Sequence, residues 1–199
     1  MAEITGAMVK ELREITGAGI MECKKALKEC DGNVDAAKDH LRKRGVAVAG
    51  KKAARETSQG AIGSYIHMGG TVGVIVEVAC ETDFVAKNEK FQDLTRDVAM
   101  HIAAMNPLCV TREEVPADLL EKEKTIFREM AVKEGKPENI LDKIVDGRVE
   151  KFYAERCLVD QKFVKDDSKT IGQLVTDAVA TIGENIQIKR FARFEVGQG

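Results

Sequence analysis

The chain has 199 residues, of which 44% are hydrophobic and 32% are charged, a composition typical of a globular protein. Its net charge of −2 gives no general attraction to nucleic acid or to a membrane surface. The sequence has no apolar run of about 18 residues and no basic start followed by an apolar stretch. We therefore expect no membrane span and no secretory signal, and on net charge alone no direct binding of nucleic acid.

The cysteines and histidines carry no pattern of a metal or catalytic site. The five cysteines are odd in number and lack a CxxC spacing, which predicts free thiols in a reducing cytoplasm. The three histidines, His40, His67 and His101, lack metal-ligand spacing, and no Cys–His–acid grouping indicates nucleophilic catalysis. We expect no bound metal, no cofactor and no catalytic residue.

Three amphipathic patterns in residues 1-45 predict a compact module of three short helices. The first helix is expected to begin at Thr5, a good N-cap, and to stop at Gly17. The third is expected to begin at Asn33 and to end at Gly45.

Ile20 and Met21 are neighbours in the second predicted helix but point in different directions. Ile20 is in phase with Cys23 and Leu27, so it is expected to face the core. Met21 points nearly opposite, toward solvent. An exposed methionine is either an unremarked surface residue or a partner contact, and periodicity leaves both readings open.

The remaining residues change from helical to mixed patterns. Residues 46-58 are small and basic and predict a linker that is helical in part. Residues 59-199 then show two strand-like runs, a long helix, a charged helical hairpin at about 117-156, a last helix at 170–182 and a closing strand. This order predicts an α+β fold, with a three-stranded antiparallel sheet packed by helices on one side.

Two basic features are candidate ligand sites. The segment GVAVAGKK, 45–52, approaches the phosphate-binding pattern GxxxxGK[ST], but Lys52 replaces the hydroxyl residue and a basic helix precedes it instead of a strand. Nucleotide binding is therefore rejected. The basic run over residues 38–55 is either solvated or an RNA contact, although no aromatic residues are interleaved for stacking.

The segment ETDFVAKNE, 81–89, lies between a strand pattern and a helix pattern. Either Thr82 or Asp83 is suited to cap the following helix. Phe84 lies two turns before Phe91 and in phase with it, so periodicity alone favours a core position for Phe84.

Three segments resemble a known family. LREITGAGIMECKKAL, 12–27, and EVACETDFVAKN, 77–88, resemble two signatures of translation elongation factor Ts, and IGENIQIKRF, 182–191, is similar to a third segment of that family. The family usually has Asn where this chain has Ala79. The resemblance extends over nearly the whole chain and matches the family's short form, which has a single core subdomain.

The resemblance implies a guanine nucleotide exchange factor for the GTPase elongation factor Tu, without covalent chemistry. It implies that residues 1-45 form a ubiquitin-associated-like module that docks on the GTPase. It also implies that a second group of residues displaces Mg²⁺ from the partner, namely Thr82, Asp83, Phe84 and Val85. The partner-binding positions that it implies are Lys10, Ile20, Met21, Lys52, His67, Ile182 and Gly183.

The short-form length implies a homodimer that assembles with elongation factor Tu as a two-by-two complex. Two other functions stay open from the residues themselves. One is an adaptor whose helical head binds a partner while the rest of the chain dimerises. The other is an RNA-binding protein that uses the basic linker.

Overall fold

A computed structural model of the protein describes residues 4–198. The predicted domains 1-45 and 59-199 include residues 1–3 and 199, which lie outside the described part. The chain forms two compact units. The first unit takes in the N-terminal stretch to Ile62, Glu77–Thr95 and Leu174–Gln187, and the second takes in Gly63–Val76, Arg96–Gln173 and the stretch from Ile188 onward.

Eight α-helices and five strands follow one another over residues 4–198, and they confirm the predicted α+β class. They are α1 (Gly6–Thr16), α2 (Ile20–Glu29), α3 (Val34–Lys52), β1 (Gln59–Ile66), β2 (Val72–Cys80), α4 (Asp83–Ala86), α5 (Glu89–Met105), α6 (Ala117–Lys133), α7 (Glu138–Arg156), β3 (Lys162–Phe163), β4 (Asp166–Thr170), α8 (Ile171–Ile182) and β5 (Ile186–Glu195).

Local capping chemistry sets the ends of the first helices. Thr5 precedes α1, and its hydroxyl oxygen accepts a hydrogen bond from the backbone N–H of Met8 at 3.3 Å. Gly17 ends α1 in a left-handed conformation, with φ of 66°. Asn33 caps α3 by accepting from the N–H of Ala36 at 2.9 Å. All three predicted caps are confirmed.

The three helices of the N-terminal module enclose a small core of their own. Its fully buried members come from all three helices: Leu12, Cys23, Ala26, Leu27 and Ala37. Small side chains dominate this set, so α1, α2 and α3 approach closely although little apolar area is available.

The third helix is longer than predicted, because it passes through Gly45 and ends at Lys52. Gly45 is buried, and a Cβ atom there would lie 3.5 Å from the Cβ of Ala180 in α8. The glycine therefore serves close packing within the first unit and does not stop the helix.

The main sheet has three antiparallel strands, as predicted, and their order is β1-β2-β5. β1 and β2 form a hairpin closed by the N–H of His67, which donates to the carbonyl of Val72 at 2.9 Å. Val74, Val76 and Val78 of β2 are buried, as their alternation predicts.

The second unit contains the predicted helical hairpin, formed by α6 and α7. A cluster of buried side chains lies at its base: Cys109, Val115, Phe152 and Cys157. Arg112 binds Asp160 through two nitrogens, at 2.8 and 3.0 Å, and its guanidinium carbon lies 4.9 Å from the centre of the Tyr153 ring. These contacts tie the segment before the hairpin to α7 and to the segment that follows it.

The second unit also holds a two-stranded ribbon, β3–β4, that the sequence did not predict. His101 of α5 is fully buried beside it and bonds on both ring nitrogens. Its Nδ1 accepts from the N–H of Val164 at 3.2 Å, and its Nε2 lies 3.0 Å from Oε1 of Gln161. Since Nδ1 must accept, the proton is on Nε2, and burial lowers the pKa of this imidazole.

Among residues 4–198, no helix is long and apolar enough to cross a membrane.

Candidate protein-docking site

The segment Thr82–Val85, called here the TDFV corner, joins β2 to the helices that follow. Thr82 is the N-cap of the one-turn helix α4, and its hydroxyl accepts from the N–H of Val85 at 3.4 Å. Phe84 lies on this single turn with 82% of its surface exposed. The corner therefore presents an aromatic ring to solvent.

The exposure of Phe84 corrects the core position that periodicity favoured. That prediction assumes that Phe84 shares the helical phase of Phe91. In the structure α4 ends at Ala86, and α5 begins at Glu89 after a turn. Phe84 and Phe91 are therefore on different helices, and Phe91 alone is buried.

The carboxylate of Glu184 holds the first residue of the corner. One oxygen accepts from the backbone N–H groups of Glu81 and Thr82, at 3.1 and 3.0 Å. The other oxygen accepts from the hydroxyl of Thr82 at 2.7 Å. Three donors from two consecutive residues thus converge on one side chain, which fixes the direction in which the corner leaves β2.

Glu81 returns a matching bond to the neighbour of Glu184. Its carboxylate accepts from the backbone N–H of Asn185 at 2.6 Å and pairs with Arg55 at 3.4 Å. The Asn185 N–H, together with the charge of Arg55, lowers the pKa of Glu81. The two segments are therefore joined in both directions.

Two further side chains hold the corner from within the first unit. The thiol of buried Cys80 donates to the carbonyl of Thr82 at 3.2 Å. Burial raises the pKa of this thiol, and the nearby charge of Glu184 adds to the effect, so the proton needed for donation is retained. Gln92 of α5 donates through its side-chain amide to the carbonyl of Ala86.

Asp83 forms an exposed ion pair with Lys87 at 2.8 Å. The hydrogen bond and the charge of Lys87 lower the pKa of Asp83. The carboxylate is therefore ionised at neutral pH and lies beside the ring-bearing residue Phe84 in the chain.

The helical module presents a second apolar surface in the first unit. Met21 is 76% exposed, as its phase predicts, but Ile20 is 55% exposed and does not face the core. Ile20 is the first residue of α2, and the core of the module closes one turn farther along, at Cys23. Periodicity gave the correct phase of the helix but not the depth at which the core begins.

Two grooves lie beside these residues. The first has a volume of about 420 Å³ and is lined by Ile4, Gly6, Val9, Lys10, Arg13, Ile20 and Lys24. It therefore combines an apolar floor with three cationic side chains. The second, of about 470 Å³, is lined by Arg13, Gly17, Ala18, Gly19, Ile20, Met21, Glu22, Lys90 and Thr181. Lys10 and Ile20 thus share one groove, while Ile20 and Met21 share the other.

Lys52, Ile182 and Gly183 also come together in the first unit. The ammonium group of Lys52 donates to the backbone carbonyl of Gly183. Gly183 follows α8 with φ of 92°, and Ile182 is half-buried. Gly183 precedes Glu184, so this cluster adjoins the residue that holds the TDFV corner.

His67 belongs to the second unit. It is exposed, and its Nδ1 lies 3.2 Å from the hydroxyl oxygen of Tyr65.

The sequence did not indicate the role of Glu184 as an anchor. No local pattern marks it, because its partners lie 102 and 103 positions earlier in the chain. The only signal was its place within a segment that resembles the family. Within the described residues, no group of histidine, cysteine or acidic side chains is arranged to hold a metal ion.

The fold and the exposed apolar side chains define an α+β protein with surfaces suited to docking on another protein. A family model described as "Elongation factor TS" matches residues 35–198. The chain belongs to the elongation factor Ts family.

Similar curated relatives carry the same name. Elongation factor Ts of Geobacter sulfurreducens is 58% identical over 196 residues, which are 98% of this chain and 91% of the relative. The protein of Oleidesulfovibrio alaskensis is 57% identical over 197 residues, 99% of this chain and 100% of the relative. That of Desulforamulus reducens is 56% identical over 199 residues, 100% of this chain and 92% of the relative.

Proposed function

We propose that this chain is a guanine nucleotide exchange factor for elongation factor Tu and acts in the cytoplasm. It binds the GDP form of the GTPase, disturbs the Mg²⁺ and phosphate site, and releases GDP so that GTP can bind. Membership of the family supports this function, and the 82% exposure of Phe84 on an anchored corner carries the mechanism. The chain itself performs no covalent chemistry in this proposal.

Phe84 acts as a wedge. A GTPase holds GDP through backbone amides around the phosphates and through Mg²⁺, which tolerates little departure from octahedral oxygen geometry. An aromatic ring that enters between partner elements displaces the residues that orient this ion. The ring must be held stiffly, since a loose segment would yield before the partner does.

The other residues of the corner set the angle of the wedge. Asp83 is ionised and exposed, so it is available to accept hydrogen bonds from the partner. Thr82 fixes the start of α4, and Val85 completes the same turn.

The helical head supplies docking energy. In this proposal residues 1-45 form a ubiquitin-associated-like module that binds the GTPase through Lys10, Ile20 and Met21. The exposure of Ile20 and Met21 supports this role, because apolar side chains in water gain free energy when a partner buries them. Residues 46-58 are the basic linker to the α+β core at 59-199.

Exchange follows from reciprocal coupling on the GTPase. If the factor weakens nucleotide binding, the nucleotide weakens binding of the factor by the same ratio. A coupling of about 4 kcal/mol would change affinity by roughly 10³-fold. Either GDP or GTP can therefore expel the factor and complete the cycle.

We further propose that two copies of the chain pair and that the pair binds two molecules of elongation factor Tu. Ile66 and Ile75 of the sheet are 66% and 50% exposed in the second unit, which supports burial against another chain. Lys52, His67 and the Ile182–Gly183 pair remain proposed contacts with the GTPase.

The experiment is stopped-flow release of a fluorescent GDP from elongation factor Tu. The wild-type chain should accelerate release, and the rate should rise with its concentration to a maximum. Truncation of a buried interface anchor costs about 2 kcal/mol or more, so Phe84→Ala should lower the exchange rate by roughly 30-fold. Val164→Ala removes an exposed apolar side chain in the β3–β4 turn and should leave the rate unchanged.

The adaptor function predicts a different result. The wild-type chain would then bind elongation factor Tu without accelerating nucleotide release. Binding without release would overturn the exchange function while preserving the docking role of the head.

A further inference from the structure

The three donors held by Glu184 indicate a function for this residue in exchange. We propose that Glu184 is a positioning residue, which keeps the TDFV corner rigid so that Phe84 can displace partner residues. The inference rests on the proposed exchange function. Glu184 itself is proposed to contact neither the nucleotide nor the partner.

Glu184 is well placed to define the path of the chain at the corner. It reaches the backbone N–H of Glu81, the backbone N–H of Thr82 and the Thr82 hydroxyl, all within 3.1 Å. Thr82 is also the N-cap of the turn that carries Phe84. A change at Glu184 is therefore transmitted to Phe84 through only two residues of backbone.

The Glu184 carboxylate accepts hydrogen bonds from both the backbone N–H and the hydroxyl of Thr82. The Thr82 hydroxyl donates to Glu184 and accepts from the N–H of Val85, so its rotamer is fixed from both sides. Without Glu184, the hydroxyl loses its acceptor and two backbone N–H groups lose theirs. Hydrogen bonds to charged acceptors are stronger than those between neutral groups, so this loss exceeds what an ordinary surface substitution removes.

Glu184 is itself held in place by its neighbours. Gly183 turns the chain at the end of α8, and the Asn185 N–H donates to Glu81 at 2.6 Å. The side-chain amide of Asn185 donates to the carbonyl of Arg55 at 2.8 Å. The anchor is therefore built on a braced segment, as a positioning group requires.

Rigidity matters because the partner resists the wedge. A flexible corner must lose its conformational freedom when it docks, and this cost is subtracted from the free energy available to displace partner residues. Because Glu184 already orders the corner in the folded chain, this loss of conformational freedom does not occur on docking. Its removal should lower the maximal exchange rate more than it lowers the affinity for the nucleotide-free GTPase.

The test compares Glu184→Ala and Glu184→Gln with wild type in the stopped-flow assay. Glu184→Ala should lower the maximal exchange rate by about tenfold, the effect of losing one charged hydrogen-bond acceptor. Glu184→Gln should stay within about threefold of wild type, because its carbonyl can accept from the backbone while its amide donates to the Thr82 hydroxyl. Glu129→Ala, an exposed glutamate of α6, is the matched control and should equal wild type.

A double-mutant cycle separates positioning from general loss of stability. In the Phe84→Ala background, Glu184→Ala should change the rate by less than about twofold, because there is no ring left to position. A purely structural role would reduce the active fraction, and hence the rate at subsaturating concentrations of the chain, by the same ratio in both backgrounds. Equal factors would overturn the inference.

Hydrogen exchange gives a second readout that does not depend on elongation factor Tu. In Glu184→Ala, the amides of Glu81 and Thr82 should exchange faster, while those of the β2 interior keep their protection. If the wild-type chain accelerates GDP release and Glu184→Ala does so equally, the inference fails and the exchange function stands. If the wild-type chain itself does not accelerate release, the exchange function fails and the inference falls with it.

Discussion

The side chain of Lys52 donates a hydrogen bond to the backbone carbonyl of Gly183, 131 positions farther along the chain. Both residues were predicted as separate contacts with the partner. In the structure they bind each other, at the point where α3 and α8 end. A partner that binds Lys52 directly must therefore replace this internal bond. Otherwise Lys52 acts indirectly, by supporting the segment 182–185.

The conformation of Gly183 gives a first prediction. Its φ of 92° is disfavoured for residues with a Cβ, so Gly183→Ala should cost about 1–2 kcal/mol of stability. The strained turn should also shift Glu184 and slow exchange. Thermal unfolding and GDP release measure the two effects. Gly183→Asn, which tolerates positive φ better, should show smaller losses in both; equal losses for Ala and Asn would contradict the backbone explanation.

A second prediction concerns docking by the helical head. Met21→Glu places a charge on a proposed apolar contact and should weaken binding of elongation factor Tu by roughly 30-fold, about 2 kcal/mol. The TDFV corner is unchanged, so the exchange rate at saturating factor should stay near wild type. Titration of the release rate separates the two quantities. Lys38→Ala, on the exposed part of α3, is the control, and a loss of maximal rate in Met21→Glu would argue against separate roles.

A third prediction follows from buried His101. Burial lowers its pKa below the ordinary value of 6.5, so the unfolded chain takes up the proton more readily than the folded chain. The stability due to neutral His101 is then complete above pH 6.5 and declines as the pH falls below it. Urea unfolding at pH 7.5 and 5.5 should show a smaller pH dependence for His101→Gln than for wild type.

The control for His101 is His67, whose side chain is exposed to solvent. His67→Gln changes an exposed side chain and should keep the wild-type difference between the two pH values. If His101→Gln keeps that difference too, the buried imidazole does not cause the acid sensitivity.

A fourth prediction compares two glycines. A Cβ at Gly60 would lie 2.8 Å from the Cα of Ala79 and against the carbonyl of Val78, so Gly60→Ala should destabilise the sheet by about 1–3 kcal/mol. A Cβ at Gly147 of α7 meets nothing within 4 Å. Gly147→Ala should therefore stabilise the chain by about 0.5–1 kcal/mol. Urea unfolding of both variants measures the contrast, which a destabilised Gly147→Ala would refute.

The sequence predicted most of what is decided within a few residues. The predicted helix ends at Thr5, Gly17 and Asn33 are confirmed, because a cap depends on atoms only three or four positions away. The strand alternation and the helical hairpin were visible for the same reason. The predicted end of the third helix at Gly45 is wrong, since a glycine that permits close packing cannot be told in sequence from one that stops a helix.

The candidate site was less accessible to sequence reasoning. Periodicity alone places Phe84 in the core, because it does not register the break between α4 and α5, where the side chain of Asn88 caps α5 by accepting from the N–H of Lys90 at 2.9 Å. Glu184 went unnoticed because its bonds to Thr82 cross 102 positions and depend on the folded arrangement of the first unit. Family resemblance pointed to Phe84, but only geometry identified the residue that holds it.

The ion pair beside Phe84 has a consequence for selectivity. Asp83 and Lys87 form a solvent-exposed pair of opposite charges on the same short segment as the exposed Phe84. A purely apolar surface that covered the ring would also remove water from this pair without offering polar replacements. The free-energy cost of that desolvation offsets the free energy gained by burying the aromatic side chain. Burial of the ring therefore gains net free energy only in a cavity that matches both the ring and the two charges. This disfavours nonspecific binding of the ring to other proteins in the cell.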